Sequence, residues 1–363
     1  MKHEMEMILM KCLAVGDLFI PEDIMVKSFE NNNFTDVKAL FWGSRDKQEM
    51  RNKVKNLETG GPTAENPPSD IKSLIQDVEI LMIHLCPIPN EVIQSAKKLK
   101  VIASTRGGVE NVDVASATEK GIAVISTPSH NAQAVAEFTI GLIISETRNI
   151  ARAHAALKNG IWREAYPNSG SVPEVNGSTI GLVGYGTIGK LIVEKLKGFD
   201  VNIMVYDPYV PQNAIIADKC IPADLDTLLK ESDVISMHAR VSKDGKPIIA
   251  DREFSLMKPT AYFINTARAN VVDMKALRRV LTEKRILGAA LDVYDYEPIS
   301  SDDPLISLDN VTLTNHRGGD TLNSYWKSPD IVLRQTMKYF NGEMPHLLAN
   351  PQVFPHIKKE MPA

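Results

Sequence analysis

The segment that most restricts the fold of this chain is IGLVGYGTIGK, residues 180–190. An apolar run leads into a turn with Gly184, Gly186 and Gly189, and a helix follows whose Ile188, Leu191, Ile192 and Leu196 fall on one face. Each glycine has its own reason to be there: a tight turn, close approach of backbone to a diphosphate, and close packing of helix on strand. The turn residues Tyr185, Thr187 and Ile188 complete the cradle, where free N–H groups and the positive end of a helix dipole hold phosphates. A bare Gly-x-Gly-x-x-Gly is weak in a chain with 21 glycines. Here the strand before, the helix after and an acid on the next strand make it specific. Asp207 ends that strand, where a carboxylate accepts bonds from ribose hydroxyls and repels a 2′-phosphate. The implied cofactor is NAD rather than NADP.

From residue 179 the chain alternates regularly. Strand candidates at 180–183, 201–206, 234–237, 262–264, 289–291 and 311–313, with helices between, match a full dinucleotide-binding domain. Residues 1–127 alternate too, with strand-like runs at 8–15, 37–42, 78–85, 101–104 and 122–126 and helical stretches at 47–56, 91–98 and 112–120. Pro62, Pro67 and Pro68 mark 60–70 as a surface loop. A length of 363 residues suits two domains. The expected fold is α/β, two Rossmann-like doubly wound parallel-sheet domains with an inter-domain active-site cleft. Residues 131–156 read as one long helix, apolar on more than one side through Val135, Phe138, Ile140, Leu142, Ile143 and Ile144. One stripe suffices to pack on a sheet, so the surplus points to a partner, and a homodimer through this helix and Trp162 is expected. The stretch 321–340 reads as a further helix.

Composition closes off other classes. With a net charge of −4 and scattered Lys and Arg, no basic stripe serves a nucleic-acid backbone. Cys12, Cys86 and Cys220 form neither a disulfide framework nor a metal-ligand spacing, which fits a reducing, cytoplasmic setting with no metal. Glu4, Glu6 and Lys11 interrupt any signal-peptide core, and no apolar run approaches the ~20 residues of a membrane helix.

Ligands of open parallel sheets bind beyond the carboxyl ends of the strands. Past the fourth, fifth and sixth strands of the second series come Thr266-Ala267-Arg268, then Asp292 through Glu297, then His316-Arg317-Gly318. An Arg, a Glu and a His thus converge on one edge beside the expected nicotinamide. A neutral His316 can take a hydroxyl proton as hydride leaves carbon. Glu297 would orient the imidazole and stabilise its protonated form, and Arg268 would hold a carboxylate and a developing alkoxide.

Together with VYDP, LMKPTAYFINTAR, VVDMKAL, GAALDVYDYEP and VTLTNHRGG, these motifs resemble the D-isomer-specific 2-hydroxyacid dehydrogenases, which include phosphoglycerate, glycerate and D-lactate enzymes. The resemblance implies an NAD-dependent oxidoreductase that moves hydride between NAD(H) and a small D-2-hydroxy or 2-keto acid. It implies catalytic Arg268, Glu297 and His316, with Asp292 near the nicotinamide carboxamide. The cofactor set widens to His238, Ala239, Arg240, Thr266, Ala267, Arg268, His316 and Gly318. The backbone at Arg106, Gly107 and Gly108, with Arg268 and His316, would grip the substrate. The domains expected are 131–319 for NAD, 1–130 plus 320–350 for the discontinuous, flavodoxin-like substrate domain, and 351–363 as a tail. Departures bear on the substrate: Asn315 stands where Pro is usual, Arg240 ends a His-x-Pro position, and the loop at 84–87 lacks the arginines of phosphoglycerate enzymes. A rival of another class is an NAD(H)-sensing binding protein of the corepressor type on the same fold.

Overall fold

A computed structural model describes residues 8–241 and 245–354; Glu4 and Glu6 lie outside the described residues. Contacts divide the chain into two compact units, one formed by residues up to 130 with those from 321 on, the other by Asn131–Asp320.

In the first unit, β1 (Ile8–Gly16), β2 (Phe34–Phe41), β3 (Ile80–Ile83), β4 (Val101–Ser104) and β5 (Ala123–Ile125) form one sheet. Every pairing is parallel, in the order β2-β1-β3-β4-β5, the flavodoxin-like arrangement. Alternate residues face opposite sides: Leu13, Val15, Leu81 and Ile83 enter one core, while Cys12, Ala14, Ile80 and Met82 enter the other. β3 and β4 are buried throughout, which explains the apolar run of β3 and that of β4 up to Ser104. The run expected at 78–85 shrinks to four paired residues, because Val78 closes a turn and His84 lies past the strand end. The helix Glu22–Asn31, not anticipated, buries Met25 and Phe29.

The helix expected at 321–340 is two, Leu322–Trp326 and Ser328–Phe340, with Pro329 in the first turn of the second, where its missing N–H costs nothing. Downstream, Asn350 accepts the Val124 N–H at 2.8 Å and donates to the Ile122 carbonyl at 2.9 Å, covering the open edge of β5. Val353 is buried in the same core. The stretch expected as a tail thus anchors one side chain in the core, Val353, and 355–363 lie outside the described residues.

The second unit has β6 (Thr179–Val183), β7 (Asn202–Tyr206), β8 (Ile221–Pro222), β9 (Val234–Met237), β10 (Tyr262–Asn265), β11 (Gly288–Leu291) and β12 (Val311–Leu313). They pair in parallel in the order β12-β11-β10-β9-β6-β7-β8. Counted within the unit, this is the dinucleotide-binding order with one added strand, and its switch point lies between β6 and β9. The strand added to that order is β12, at the far edge, while β8, which fills its third place, was not expected. β8 is two residues at the sheet edge and ends in Pro222, too short for periodicity and placed where a proline is tolerated.

The long helix expected at 131–156 is also two, Ala132–Thr147 and Ile150–Lys158. Asn149 breaks it with a left-handed φ of 58°. Its side chain donates to Asn168 at 2.7 Å, and Arg152 reaches back to Glu146 at 2.7 Å. The first helix spends Ala136, Leu142 and Ile143 on the core under the sheet. The exposed apolar surface falls on and after the second, at Ile150, Leu157, Ile161 and Trp162. Among the described residues, no helix is long and apolar enough to cross a membrane.

Candidate active site

Gly184 leaves β6 with φ 103°, and a Cβ there would stand 2.5 Å from the Ala239 nitrogen and 2.6 Å from the His238 carbonyl carbon. Only glycine lets the ends of β6 and β9 close on each other. A Cβ on Gly189 would meet the Gly184 carbonyl oxygen at 2.6 Å, so this position holds helix against strand. Gly186 is different: it is exposed and nothing lies within 4 Å of its missing Cβ. The helix Thr187–Leu196 starts there without a side-chain cap, and its first N–H groups have no partner inside the helix. A side chain at 186 would fill the space that a diphosphate needs. The turn fits the group.

The other cofactor candidates divide into open and occupied groups. Thr187 is exposed, while Ile188 packs partly into the core. The Tyr185 ring is buried, its hydroxyl donates to Asp218 at 2.7 Å and its N–H donates to Asp207 at 2.7 Å. Tyr185 is thus a core residue that braces the turn. Asp207 also accepts the N–H groups of Tyr209 at 2.9 Å and Val210 at 3.2 Å, so three backbone bonds fix its carboxylate at the strand end. His238 shares a 2.8 Å bond with Ser236, and burial pulls its imidazole down to about 3, which keeps it neutral. Ala239 is half-buried behind Gly184, and Arg240 is exposed.

Strand register assembles the rest. Asn265 pairs with Met237 and Leu291, and Leu291 with Leu313, so the residues that follow β9, β10, β11 and β12 emerge side by side. His316 Nδ1 lies 2.7 Å from Glu297 Oε2. The other oxygen of Glu297 accepts the Tyr294 N–H at 3.0 Å, which pins the carboxylate. The Tyr294 hydroxyl donates to the carbonyls of Leu291 at 3.0 Å and Thr314 at 2.7 Å, joining the loops after β11 and β12. His316 has a left-handed φ of 55°, a strained conformation for a histidine that its surroundings must hold.

Asp292 does that holding. Its buried carboxylate accepts the Thr314 hydroxyl at 2.6 Å, the Arg317 N–H at 2.8 Å and the Gly318 N–H at 2.8 Å. These three donors flank His316 in sequence. A Cβ on Gly318 would come within 3.1 Å of that carboxylate. Arg268 is exposed, with one donor on the Ala267 carbonyl at 2.7 Å. Partial burial of the guanidinium and the neighbouring Arg240 push its pKa below the usual value, against the pull of Glu297. The buried Thr266 hydroxyl is taken by Thr139 at 2.8 Å. Arg317 is paired with Asp320 at 2.5 Å.

Tyr294, Thr314 and Arg278 escaped the sequence reading. Arg278 grips Asp295 and Asp303 with bonds of 2.5–3.1 Å and staples the Glu297 loop. A helix arginine paired with loop acids leaves no local signature.

In the first unit, Arg106 donates to Glu58 at 3.1 Å, and the N–H groups of Gly107 and Gly108 have no partner among the described residues. Among the described residues, no group of three or more His, Cys, Asp or Glu could hold a metal ion.

A seven-stranded parallel unit with a glycine turn at its switch point has the build of a dinucleotide-binding unit, and a His–Glu pair lies at the same edge. Residues 140–318 match the model for the D-isomer specific 2-hydroxyacid dehydrogenase, NAD binding domain. Glyoxylate reductase from Thermofilum pendens is 39% identical over 295 residues, 79% of this chain and 86% of that protein. D-3-phosphoglycerate dehydrogenase from Methanocaldococcus jannaschii is 38% identical over 291 residues, 79% of this chain and 54% of that protein. Among solved structures, D-lactate dehydrogenase with NAD+ from Lactobacillus jensenii shares the fold at a TM-score of 0.72 and 23% identity, covering 93% of this chain and 99% of that one. The chain belongs to the D-isomer specific 2-hydroxyacid dehydrogenase family. It is an NAD-dependent oxidoreductase of hydroxy and keto acids.

Proposed function

We propose that His316 is the acid–base group of this enzyme, with Glu297 as its partner and Arg268 as the substrate's carboxylate ligand. The observation that carries the reading is the 2.7 Å contact between His316 Nδ1 and Glu297. It leaves Nε2 as the ring atom free to move a proton. NAD, when bound, supplies or accepts the hydride at the carbon bearing the oxygen. In reduction, His316 Nε2 gives its proton to the carbonyl oxygen and the product is the 2-hydroxy acid; in oxidation it takes the hydroxyl proton. Glu297 favours the imidazolium by charge. Arg268, fixed beyond β10, pairs with the carboxylate and with charge developing on oxygen.

Asp207 is assigned to the adenosine ribose on its position at the end of β7, and Gly186 and Thr187 to the diphosphate. The N–H groups of Gly107 and Gly108, without a partner among the described residues, leave the edge of the first unit's sheet open to an anion. The exposed Ile150, Leu157, Ile161 and Trp162 support a homodimer. The three buried, free thiols suit a reducing cytoplasm, and burial pushes the Cys12 thiol up to about 12. The function is tested by NADH oxidation with a panel of 2-keto acids. Turnover of at least one is expected, and none across the panel would overturn the reading.

A further inference from the structure

Two arginines stand beyond neighbouring strands of the second unit. β9 ends at Met237 and β10 at Asn265, and register pairs these two residues. Arg240 and Arg268 each come three positions later, so their loops start about 4.8 Å apart, the spacing of paired strands. Both arginines are exposed, on the edge where open parallel sheets bind ligands.

Each loop is fixed at its root. Asn265 is buried, donates to the Arg268 carbonyl at 3.0 Å and accepts the Ala267 N–H at 3.0 Å. The Thr139 hydroxyl donates to the Val135 carbonyl at 2.7 Å, so its oxygen accepts from Thr266, 2.8 Å away. On the other loop, the His238 N–H donates to the Val183 carbonyl at 2.8 Å, and Ser236 lies 2.8 Å from His238 Nε2. Ala239 stands against Gly184, whose missing Cβ would be 2.5 Å from the Ala239 nitrogen. The backbone that launches each guanidinium is therefore held.

The acids of this edge are spent elsewhere. Glu297 holds His316 at 2.7 Å and the Tyr294 N–H at 3.0 Å. Asp292 faces inward onto Thr314, Arg317 and Gly318. Asp295 and Asp303 are bound by Arg278, and Asp320 by Arg317. Among the described residues, Arg240 has no hydrogen-bond or ion-pair partner, and the Arg268 guanidinium donates to the Ala267 carbonyl. Partial burial, and after it the field of Arg240, push Arg268 below the usual guanidinium value, so the two cations feel each other.

Like charges on adjacent loops, with the nearby acids already engaged, repel one another until an anion joins them. We propose that Arg240 is a specificity residue that binds a second carboxylate of the substrate, so that the enzyme selects four- or five-carbon 2-keto diacids over monoacids of the same length. Arg268 takes the carboxylate beside the reacting carbonyl, and the selection rests on that part of the function proposed above. The planar fork of each guanidinium matches one carboxylate through two parallel bonds. The C2 carbonyl takes hydride from NADH and the proton of His316 and becomes a hydroxyl, NAD+ is released, and the second carboxylate is chemically unchanged.

The test is kcat/KM of the full chain, with NADH, for oxaloacetate and 2-ketoglutarate against 2-ketobutyrate, 2-ketovalerate and the 3-phosphate ester of hydroxypyruvate. Parent, Arg240→Met and Arg240→Lys are compared. The parent should favour at least one diacid over all three other acids. Arg240→Met should lose about 10–100-fold on that diacid, the cost of a missing charge-assisted hydrogen bond, and stay within about twofold on the monoacids and in NADH affinity. Arg240→Lys, which keeps the charge without the fork, should retain part of the preference. A parent that favours a monoacid or the phosphate ester, equal losses on diacids and monoacids, or a loss confined to NADH affinity would overturn the assignment. If no keto acid is turned over, the proposed function fails, and calorimetry of the NAD-loaded chain with D-malate and D-2-hydroxybutyrate decides the site alone. Tighter D-malate binding that Arg240→Met abolishes supports it, and equal binding of both acids by the parent overturns it.

Discussion

Replacing Asp292 by Asn tests whether one buried carboxylate holds the His316 loop in its strained form. Asn keeps a single acceptor oxygen. If that oxygen serves Thr314 and Arg317, the new NH2 group faces the Gly318 N–H, whose acceptor now sits at 2.8 Å. A hydrogen bond to a charged group contributes about 1.5–3 kcal/mol, so the variant should lose roughly 2–3 kcal/mol. For a unit of this size that corresponds to a fall of roughly 4–12 °C in melting temperature. The released loop also frees His316 from its φ of 55°, so kcat should drop, by about tenfold or more if the misplacement approaches 1 Å. Calorimetry and steady-state kinetics on the same preparation provide the assay. Thr314→Val is the graded control, since it removes only the hydroxyl contact and should cost about 1.5 kcal/mol, the lower end of that range. An Asp292→Asn protein with the parent's melting temperature and kcat would refute the clamp.

Asp207→Asn should weaken NADH binding about tenfold and improve the use of NADPH, because a neutral amide no longer repels a 2′-phosphate; unchanged affinities for both would remove Asp207 from the site. Arg278→Met should destabilise the Glu297 loop at neutral pH. Hydrogen bonds from Arg278 hold the Asp295 and Asp303 carboxyls below the ordinary carboxylate range. Their stabilisation is therefore present above about pH 4 and is lost as pH falls through the lowered values. Denaturation midpoints of parent and variant should converge in acid, and a constant gap at every pH would contradict the sign. Trp162→Glu should convert a dimer to a monomer in light scattering at micromolar concentration, and a monomeric parent would contradict the interface.

The parallel sheets were legible because β3, β4, β9 and β10 are buried on both faces and read as short, mainly apolar runs, with Ser104, Ser236 and Asn265 as their polar members. The glycine turn was legible because its spacing answers fixed backbone contacts closer than 3 Å, of Gly184 with Ala239 and of Gly189 with Gly184. What escaped depends on long-range partners. The break at Asn149 is set by Asn168, Glu146 and Arg152, none of which interrupts the apolar pattern of the helix. The expectation that the whole stretch 131–156 meets a partner therefore moves to the second helix and Trp162. At the candidate site, the residues past β10, β11 and β12 could be named from strand order. The carboxylate of Asp292 turned inward on the His316 loop and the occupied N–H of Tyr185 could not, since both depend on how loops close. The Asp17–His84 pair joins residues from separate strands and had no motif to announce it.

That His316 carries the proton is the step on which the proposed reaction turns. Its most direct test is the rate of keto-acid reduction by His316→Ala at saturating NADH, using the best substrate of the parent enzyme. Loss of a general acid should slow that rate by about 10²–10⁴-fold, with NADH affinity, read by fluorescence titration, left within about twofold of the parent because the glycine turn is untouched. A His316→Ala protein that reduces the keto acid within a few-fold of the parent rate would contradict the claim.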